Sequence, residues 1–318
     1  MNYDPGVKSC IAILIWLAIA PLARSQTNEP ALDVGDLLDS AQQWAQDNLD
    51  SDVLQALQSV DREQVEDFLN HCQDYLKGDY VLDVARLKEA AGIVLPLLEA
   101  HAETRPYAAW LRERMDYFDA AAELKAVTPP PRPETPTNPP AAPNPSFAAE
   151  REIWIKKVAP RPLSSGAEQL IPQLKAIFVE EHVPPALVWV AEVESGLDAS
   201  ARSPAGALGL FQLMPATAKD LGLSLWPFDQ RKQMEPSAHA AAKHLRQLHR
   251  QFGDWRLAVA AYNCGAGTVQ KLLHRYKTGS YADIATHLPA ETQMYVPKVE
   301  ATILHREGLA LEKLGPDD

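Results

Sequence analysis

Apolar side chains recur at helical spacing in both halves of this chain. The pattern predicts helices over residues 54–57, 65–72, 107–122, 167–179, 216–221, 237–252, 254–262, 269–276 and 292–304. Asp254 is a good residue to cap the helix that follows it. Strand-type features are limited to a small hairpin around residues 207–213. We therefore expect a mainly α protein.

A proline-rich stretch divides the predicted helices into two groups. Nine of the seventeen residues from 129 to 145 are proline, and such a segment forms a semi-rigid extended spacer rather than a helix or a sheet. We expect a separate all-helical domain at 26–128, a linker at 129–146 and a second domain at 147–318.

The first 25 residues have the features of a secretory signal peptide. Residues 11–20 form an unbroken apolar run, and Ala23-Arg24-Ser25 offers small residues at a cleavage site. A membrane-spanning helix needs roughly 20 apolar residues, and this run is much shorter. The expected location is outside the cytoplasm, in the periplasm or the cell envelope.

The negative charge of the chain is concentrated in its first half. Residues 29–128 contain 8 Lys and Arg against 21 Asp and Glu, whereas residues 129–318 contain 20 of each. The acidic half is either a solvated surface or a domain that binds a protein partner. Nucleic acid and anionic membrane surfaces are disfavoured as partners.

One carboxylate stands at the end of an apolar helix. Pro184 and Pro185 open a run that continues to Val193, and Glu194 falls on the same helical face as three apolar residues. These are Leu187, Val190 and Ala191. A carboxyl held against apolar side chains has a raised pKa, which suits a general acid near neutral pH. Gly196 is expected to end the helix.

Three ordered blocks surround and follow this glutamate. The first contains Glu194-Ser195, Ser203, the run from Gly206 to Gln212, and Met214-Pro215. The second is the run Ala261 to Gly265, and the third contains Glu291-Thr292 and the run Tyr295 to Lys298. Together they resemble the catalytic SLT domain of lytic transglycosylases, which cleave peptidoglycan, and most closely the membrane-bound transglycosylase D subgroup. The resemblance covers roughly residues 170–307 and implies a lysozyme-like fold.

The resemblance also implies a mechanism and a set of site residues. Glu194 would protonate the oxygen between MurNAc and GlcNAc, then accept a proton from the C6 hydroxyl as a 1,6-anhydro sugar forms. Ser203 and Gln212 would hydrogen-bond the sugar or its acetamido group. The other implied substrate-binding residues are Met214 and Tyr295 in the cleft wall, Tyr262 near the reaction centre, and Asn263, which could fix the same loop.

Alternatives remain open at this point. Asp198 is a possible second carboxylate, although its place beyond Gly196 suits an Asx turn better. A goose-type lysozyme would share the fold and the glutamate but use water as nucleophile, and a catalytically silent glycan-binding protein would need no acid. No cluster of His, Cys or Asp has metal-ligand spacing, so we expect no metal and no cofactor.

Overall fold

The structure is a computed structural model. It describes residues 105–127, 144–203 and 205–315, with 76–78, 80–88 and the single positions 91, 92, 95 and 99. The predicted signal peptide, the helices before residue 76 and residues 128–143 lie outside this part of the chain. The predicted domain boundaries and the acidic partner-binding surface therefore stay predictions.

The described residues form helices joined by loops, which confirms the mainly α prediction. The α-helices are α1 (Arg105–Val127), α2 (Phe147–Val158), α3 (Ala167–Glu180), α4 (Val190–Ser195), α5 (Pro215–Asp220), α6 (Met234–Phe252), α7 (Trp255–Cys264), α8 (Ala266–Tyr276), α9 (Tyr281–Ile284) and α10 (Ala290–Glu307). Short 3₁₀ helices span Val81–Leu87, Pro185–Trp189, Gln230–Lys232, Ala285–His287 and Leu311–Lys313. In place of a full hairpin, Leu208 forms isolated antiparallel bridges with Arg202 and Leu213.

Local sequence accounts for the ends of several helices. Asp254 caps α7 by accepting a hydrogen bond from the Leu257 backbone N–H at 3.0 Å. Gly253 ends α6 in the left-handed conformation, with a φ of 69°, which costs least for glycine because it has no Cβ. Gly196 ends α4 in the same way, with a φ of 62°. These caps fix where α4 and α6 end and where α7 begins.

The helix before Glu194 differs from the prediction in two respects. Its first part, Pro185–Trp189, is a 3₁₀ helix, and only α4 is α-helical. Val188 and Val193, which lie off the predicted apolar stripe, are also buried. The 3.6-residue pattern therefore predicted an amphipathic helix where the structure has a segment enclosed on almost every side. Pro185 at its start is exposed, and Glu192 is partly exposed and pairs with Arg306 at 2.7 Å.

α10 lies at the centre of the fold. Its residues from Thr292 to Ile303 are all buried, and it contacts α2, α4 and α7. A helix buried on all sides presents side chains to several neighbours at once. Because α4 carries Glu194 and α7 carries Tyr262, α10 brings the three sequence blocks into one region.

α1 joins this core although it precedes the proline-rich stretch. It packs against Val81–Leu87, α2 and α4, and it buries Tyr117 and Phe118. The fully buried Lys298 of α10 lies over the Tyr117 ring at 4.7 Å from its centroid. The end of the predicted N-terminal domain therefore shares its core with the C-terminal helices.

Candidate active site

Glu194 lies in the last turn of α4 with its carboxyl turned into the protein. The residue is 4% exposed. The Tyr295 hydroxyl donates a hydrogen bond to Oε1 at 2.7 Å, and Nη2 of Arg114 lies 3.7 Å from Oε2. Both carboxyl oxygens thus face a polar group, although the side chain is removed from solvent.

The environment shifts the ionisation of this carboxyl into the neutral range. Burial raises the pKa of Glu194 from 4.5 to about 7, against the opposing effects of Arg114 and of the Tyr295 hydrogen bond. The negative charge of Glu291 raises this pKa further, and Lys298 lowers it. A carboxyl with this pKa is populated in both protonation states near neutral pH, as a group that serves as acid and then as base requires.

Ser195 connects α4 to the loop of residues 201–213. Its Oγ lies 2.8 Å from the Leu210 carbonyl oxygen and 3.1 Å from that of Ala191, one turn earlier. The buried hydroxyl therefore holds the loop against the helix that carries Glu194. The two residues of the Glu-Ser pair thus have different roles. The Glu194 side chain faces Tyr295 and Arg114, and the Ser195 hydroxyl holds the neighbouring loop in place.

Ser203 and Gln212 stabilise the same loop from inside. Ser203 Oγ accepts a hydrogen bond from the Ala207 backbone N–H at 2.9 Å. Nε2 of Gln212 donates to the carbonyl oxygens of Ala201 and Gly209, both at 2.9 Å. Gln212 has a φ of 45°, a left-handed conformation that is uncommon for this residue type and frequent at functional sites. Its Oε1 is buried without a hydrogen-bond partner.

Gly209 is required where the loop meets a second segment. A Cβ at this position would lie 1.9 Å from the carbonyl oxygen of Arg231. The Arg231 guanidinium in turn donates to the carbonyl oxygens of Gly206 and Leu213 at 2.8 and 2.9 Å. The glycine-rich run thus permits close packing between two backbone segments, and Met214, 41% exposed, follows directly at the surface.

Tyr262 and Asn263 approach the site from α7. The Tyr262 hydroxyl donates to the Phe211 carbonyl oxygen at 2.8 Å. Burial, followed by the charge of Glu194, raises the pKa of Tyr262 well above its ordinary value, so the hydroxyl keeps its proton. Asn263 Oδ1 accepts from Thr292 Oγ1 at 2.6 Å. The pair therefore ties the loop and α10 to the same end of α7.

Asp198, the alternative second carboxylate, has the predicted loop role. Its Oδ1 accepts from the backbone N–H and the hydroxyl of Ser200, at 2.7 and 2.6 Å. This is an Asx turn. Of the predicted site residues, Tyr295 touches Glu194 directly, and Ser203, Gln212, Tyr262 and Asn263 hold the surrounding segments. Their contacts with a sugar stay predictions.

Sequence reasoning missed two charged residues at the site. Arg114 belongs to α1, far upstream of the three blocks, and Glu291 was noted only as part of the closing segment. Helical spacing placed α1 correctly as a helix, but spacing within one helix carries no information about which distant helix it contacts. No local signal in the sequence identifies Arg114.

The described residues contain neither a helix that could span a membrane nor a cluster that could hold a metal ion. No helix among them is long and apolar enough to cross a membrane. Within the same ranges, no group of three or more His, Cys, Asp or Glu side chains is arranged to hold a metal ion.

Comparison with known proteins shows that most of the region around this site is similar to one family. Residues 174–284 match the family model described as Transglycosylase SLT domain. This match agrees with the resemblance inferred from the sequence, and it contains the first two of the three blocks. The mainly α fold is the one expected of that lysozyme-like class.

Individual relatives share this region over part of their length. Membrane-bound lytic murein transglycosylase D of Escherichia coli K12 is 39% identical over 126 residues, which are 38% of this chain and 28% of that protein. A putative tributyltin chloride resistance protein of an Alteromonas species is 34% identical over 126 residues, 39% of this chain and 58% of the relative. The peptidoglycan transglycosylase gp16 of Escherichia phage T7 is 41% identical over 100 residues, 30% of this chain and 8% of its own. This chain therefore spans between about a tenth and three fifths of these relatives.

A solved structure was also found at low similarity. An inactive mutant of a lytic transglycosylase from Pseudomonas aeruginosa aligns over 95% of this chain and 52% of its own, with 17% identity and a TM-score of 0.41. A likeness at this level supports no conclusion about function.

Proposed function

We propose that this protein is a peptidoglycan lytic transglycosylase, which cleaves the bond between MurNAc and GlcNAc without water and leaves 1,6-anhydro-MurNAc ends. The observation that carries the proposal is the Glu194 carboxyl, buried at the end of α4 with a pKa of about 7. The SLT match and the lytic transglycosylases among the relatives support it.

Two other carboxylates, Asp198 and Glu291, form hydrogen bonds with protein groups. Asp198 is held in its Asx turn by Ser200, and Glu291 accepts from Nη2 of Arg114 at 3.2 Å. Both carboxylates have protein partners, and we propose that neither serves as the nucleophile of a retaining glycosidase. Glu194 is therefore proposed as the sole acid and base.

The reaction uses Glu194 twice. The protonated carboxyl gives its proton to the glycosidic oxygen as the bond from that oxygen to C1 breaks, and the acetamido group of MurNAc stabilises the cationic centre. The resulting carboxylate then takes the proton of the C6 hydroxyl as O6 bonds to C1. The proton balance closes on one side chain, and no water is consumed.

The loop of residues 201–213 is proposed to bind the sugar next to this acid. Gln212 Oε1 is a buried acceptor without a protein partner, and leaving such a group unpaired is costly. An N–H or hydroxyl of the substrate would satisfy it. Ser203, Met214, Tyr262, Asn263 and Tyr295 complete the proposed substrate-binding set.

We further propose that the protein is exported and acts on glycan strands in the cell envelope. The predicted signal peptide motivates this, and a relative is named as a membrane-bound murein enzyme. The acidic N-terminal domain predicted at residues 26–128 is proposed to bind a protein partner.

Cleavage of purified sacculi in water enriched in heavy oxygen tests the reaction. We expect muropeptides with anhydro ends, lighter by one water and free of label, because the C6 hydroxyl rather than solvent attacks C1. Mass spectrometry reads both features. Reducible ends that carry the heavy oxygen would identify a lysozyme-type hydrolase instead, and no release of fragments would identify a silent glycan-binding protein.

A further inference from the structure

The guanidinium of Arg114 contacts α4, the helix that carries Glu194, although Arg114 lies outside the residues that match the SLT family model. Arg114 lies in α1, sixty residues before the start of the matched segment at residue 174. It is 5% exposed, and burying an arginine is costly unless its charge is paired. What it pairs with is therefore informative.

Its contacts converge on Glu194. Nη1 donates to the backbone carbonyl oxygen of Glu194 at 3.0 Å. Nη2 donates to Glu291 Oε1 at 3.2 Å and lies 3.7 Å from Glu194 Oε2. The guanidinium also stacks over the Trp110 ring, with 5.2 Å between Cζ and the ring centroid.

The backbone contact fixes the end of α4. The last carbonyl groups of a helix have no intrahelical donor and carry partial negative charge, so a cation there is favourable. A planar guanidinium can hold this carbonyl with one nitrogen while the other faces two carboxylates. A lysine in the same place could not reproduce both contacts with fixed geometry.

We propose that Arg114 is a positioning residue of the transglycosylase site, holding the end of α4 and keeping a positive charge beside the Glu194 carboxyl. This rests on the proposed function for its catalytic meaning. The geometry therefore makes α1, which precedes the proline-rich stretch, part of the site. The SLT segment alone does not supply the Arg114 guanidinium.

The charged and titratable groups that face Glu194 come from three helices. Arg114 belongs to α1, Tyr262 to α7, and Glu291, Tyr295 and Lys298 to α10. Arg114 and Lys298 favour the carboxylate, whereas Glu291 favours the protonated acid. Loss of the Arg114 charge should therefore raise the pKa of Glu194, and loss of the Glu291 charge should lower it.

The test compares Arg114→Met with Arg112→Met in the full chain. Met replaces the unbranched apolar stem of arginine and removes the guanidinium with its charge. Arg112 is the matched control, since it lies in the same helix, is 55% exposed in its side chain and pairs with Glu99. Two readouts are used: the titration of the Glu194 carboxyl by carbon NMR on glutamate-labelled protein, and the alkaline limb of kcat/KM for glycan cleavage.

We expect Arg114→Met to move both the titration and the alkaline limb upward by about one pH unit, the lower end of the range for loss of a close opposite charge. Arg112→Met should move neither. A folded Arg114→Met protein with an unchanged or lowered Glu194 pKa would overturn the proposal, because a purely structural role shifts stability and not this titration.

Glu291→Gln keeps the proposal testable if Arg114→Met does not fold. It leaves Arg114 without its competing carboxylate, so the pKa of Glu194 should fall. An unchanged or raised pKa in this variant would overturn the proposal. The NMR titration needs no turnover, so failure of the wild-type protein to cleave glycan would refute the proposed function and still leave the Arg114 result readable.

Discussion

At the scale of single residues, Glu194 is held in a state that favours chemistry over stability. Its carboxyl is buried, and burial outweighs the combined effect of Arg114 and Tyr295 on its pKa. Because this pKa is raised above 4.5, its value in an unfolded chain, the protonated form is favoured by folding. The associated stability is complete below pH 4.5 and is lost as the pH rises through about 7.

Glu194→Gln should therefore lose activity and gain stability. We expect turnover to fall by at least about 10²-fold, the range that general acid–base groups contribute. At pH 8 the free energy of unfolding should exceed that of the wild type by about 1–3 kcal/mol, and the difference should vanish near pH 4. Muropeptide release and urea unfolding at the two pH values measure both effects.

Asp198→Asn is the matched control for this variant. Asn keeps the Oδ1 acceptor of the Asx turn with Ser200, so both turnover and stability should stay close to wild type. If Asp198→Asn lost as much activity as Glu194→Gln, a mechanism with two carboxylates would replace the single-acid one. If Glu194→Gln kept near-normal turnover, the assignment of the acid would be wrong.

The residues of the site were predictable to the extent that they lie in local motifs. Glu194, Tyr262 and Tyr295 stand in recognisable blocks, and the Asx turn of Asp198 follows from its place after a helix-ending glycine. Arg114 was not predictable, since its contact with Glu194 joins residues separated by 80 positions. Ser203 and Gln212 were predicted as sugar ligands, and the structure adds that they also hold their own loop.

At the scale of elements, one buried lysine connects α1 to α10. Lys298 Nζ donates to the Glu113 carbonyl oxygen at 3.0 Å and lies 3.5 Å from Asp116 Oδ2. Burial alone would raise the pKa of Asp116, but Lys298 and Arg161 lower it below its ordinary value. The pairing of these charges therefore contributes to stability above pH 3.8 and is lost as Asp116 becomes protonated at lower pH.

Lys298→Met tests whether this buried pairing contributes more to the free energy of unfolding than a surface ion pair does. We expect the free energy of unfolding to fall by about 2–4 kcal/mol at pH 7, since one partner of a buried charge pair is removed. The deficit should narrow as the pH falls below 3.8 and Asp116 becomes protonated. Denaturant unfolding at pH 7 and pH 3 measures it.

Lys157→Met is the control for Lys298→Met. Lys157 of α2 also pairs with α1, through Glu123, but the Glu123 side chain is 55% exposed. Such a pair contributes at most about 1 kcal/mol. Equal losses in the two variants would show that burial of Lys298 adds nothing to the contact between α1 and α10.

Helical spacing predicted the positions of the helices better than it predicted which of their faces are buried. The ranges expected for α3, α6, α7 and α10 differ from the structure by a few residues at their ends. The segment before Glu194 was expected as one amphipathic helix, yet it is 3₁₀ and then α-helical and is buried on nearly every side. Periodicity reports which side chains are apolar, whereas burial depends on neighbours that come from elsewhere in the chain.

At the scale of the whole molecule, the order of segments along the sequence does not match the way they pack in the fold. The composition of residues 129–145 predicts a spacer between two separate domains. The structure places α1, from before that spacer, against α2 and α4, and Lys298 of α10 lies over its Tyr117 ring. Whatever the residues before α1 do, α1 itself is part of the body that carries the site.

Limited proteolysis of the native protein tests this arrangement. The first cuts should fall within residues 129–143, because a proline-rich stretch offers little backbone hydrogen bonding to protect it. The nicked protein should nevertheless stay associated and keep its glycan-cleaving activity, since Tyr117 and Phe118 of α1 are buried in the common core and Arg114 reaches Glu194. Size-exclusion chromatography with mass analysis should recover both fragments in one peak under native conditions and as separate species in urea. Fragments that part without denaturant, or an active C-terminal fragment purified free of α1, would show that the two halves are independent.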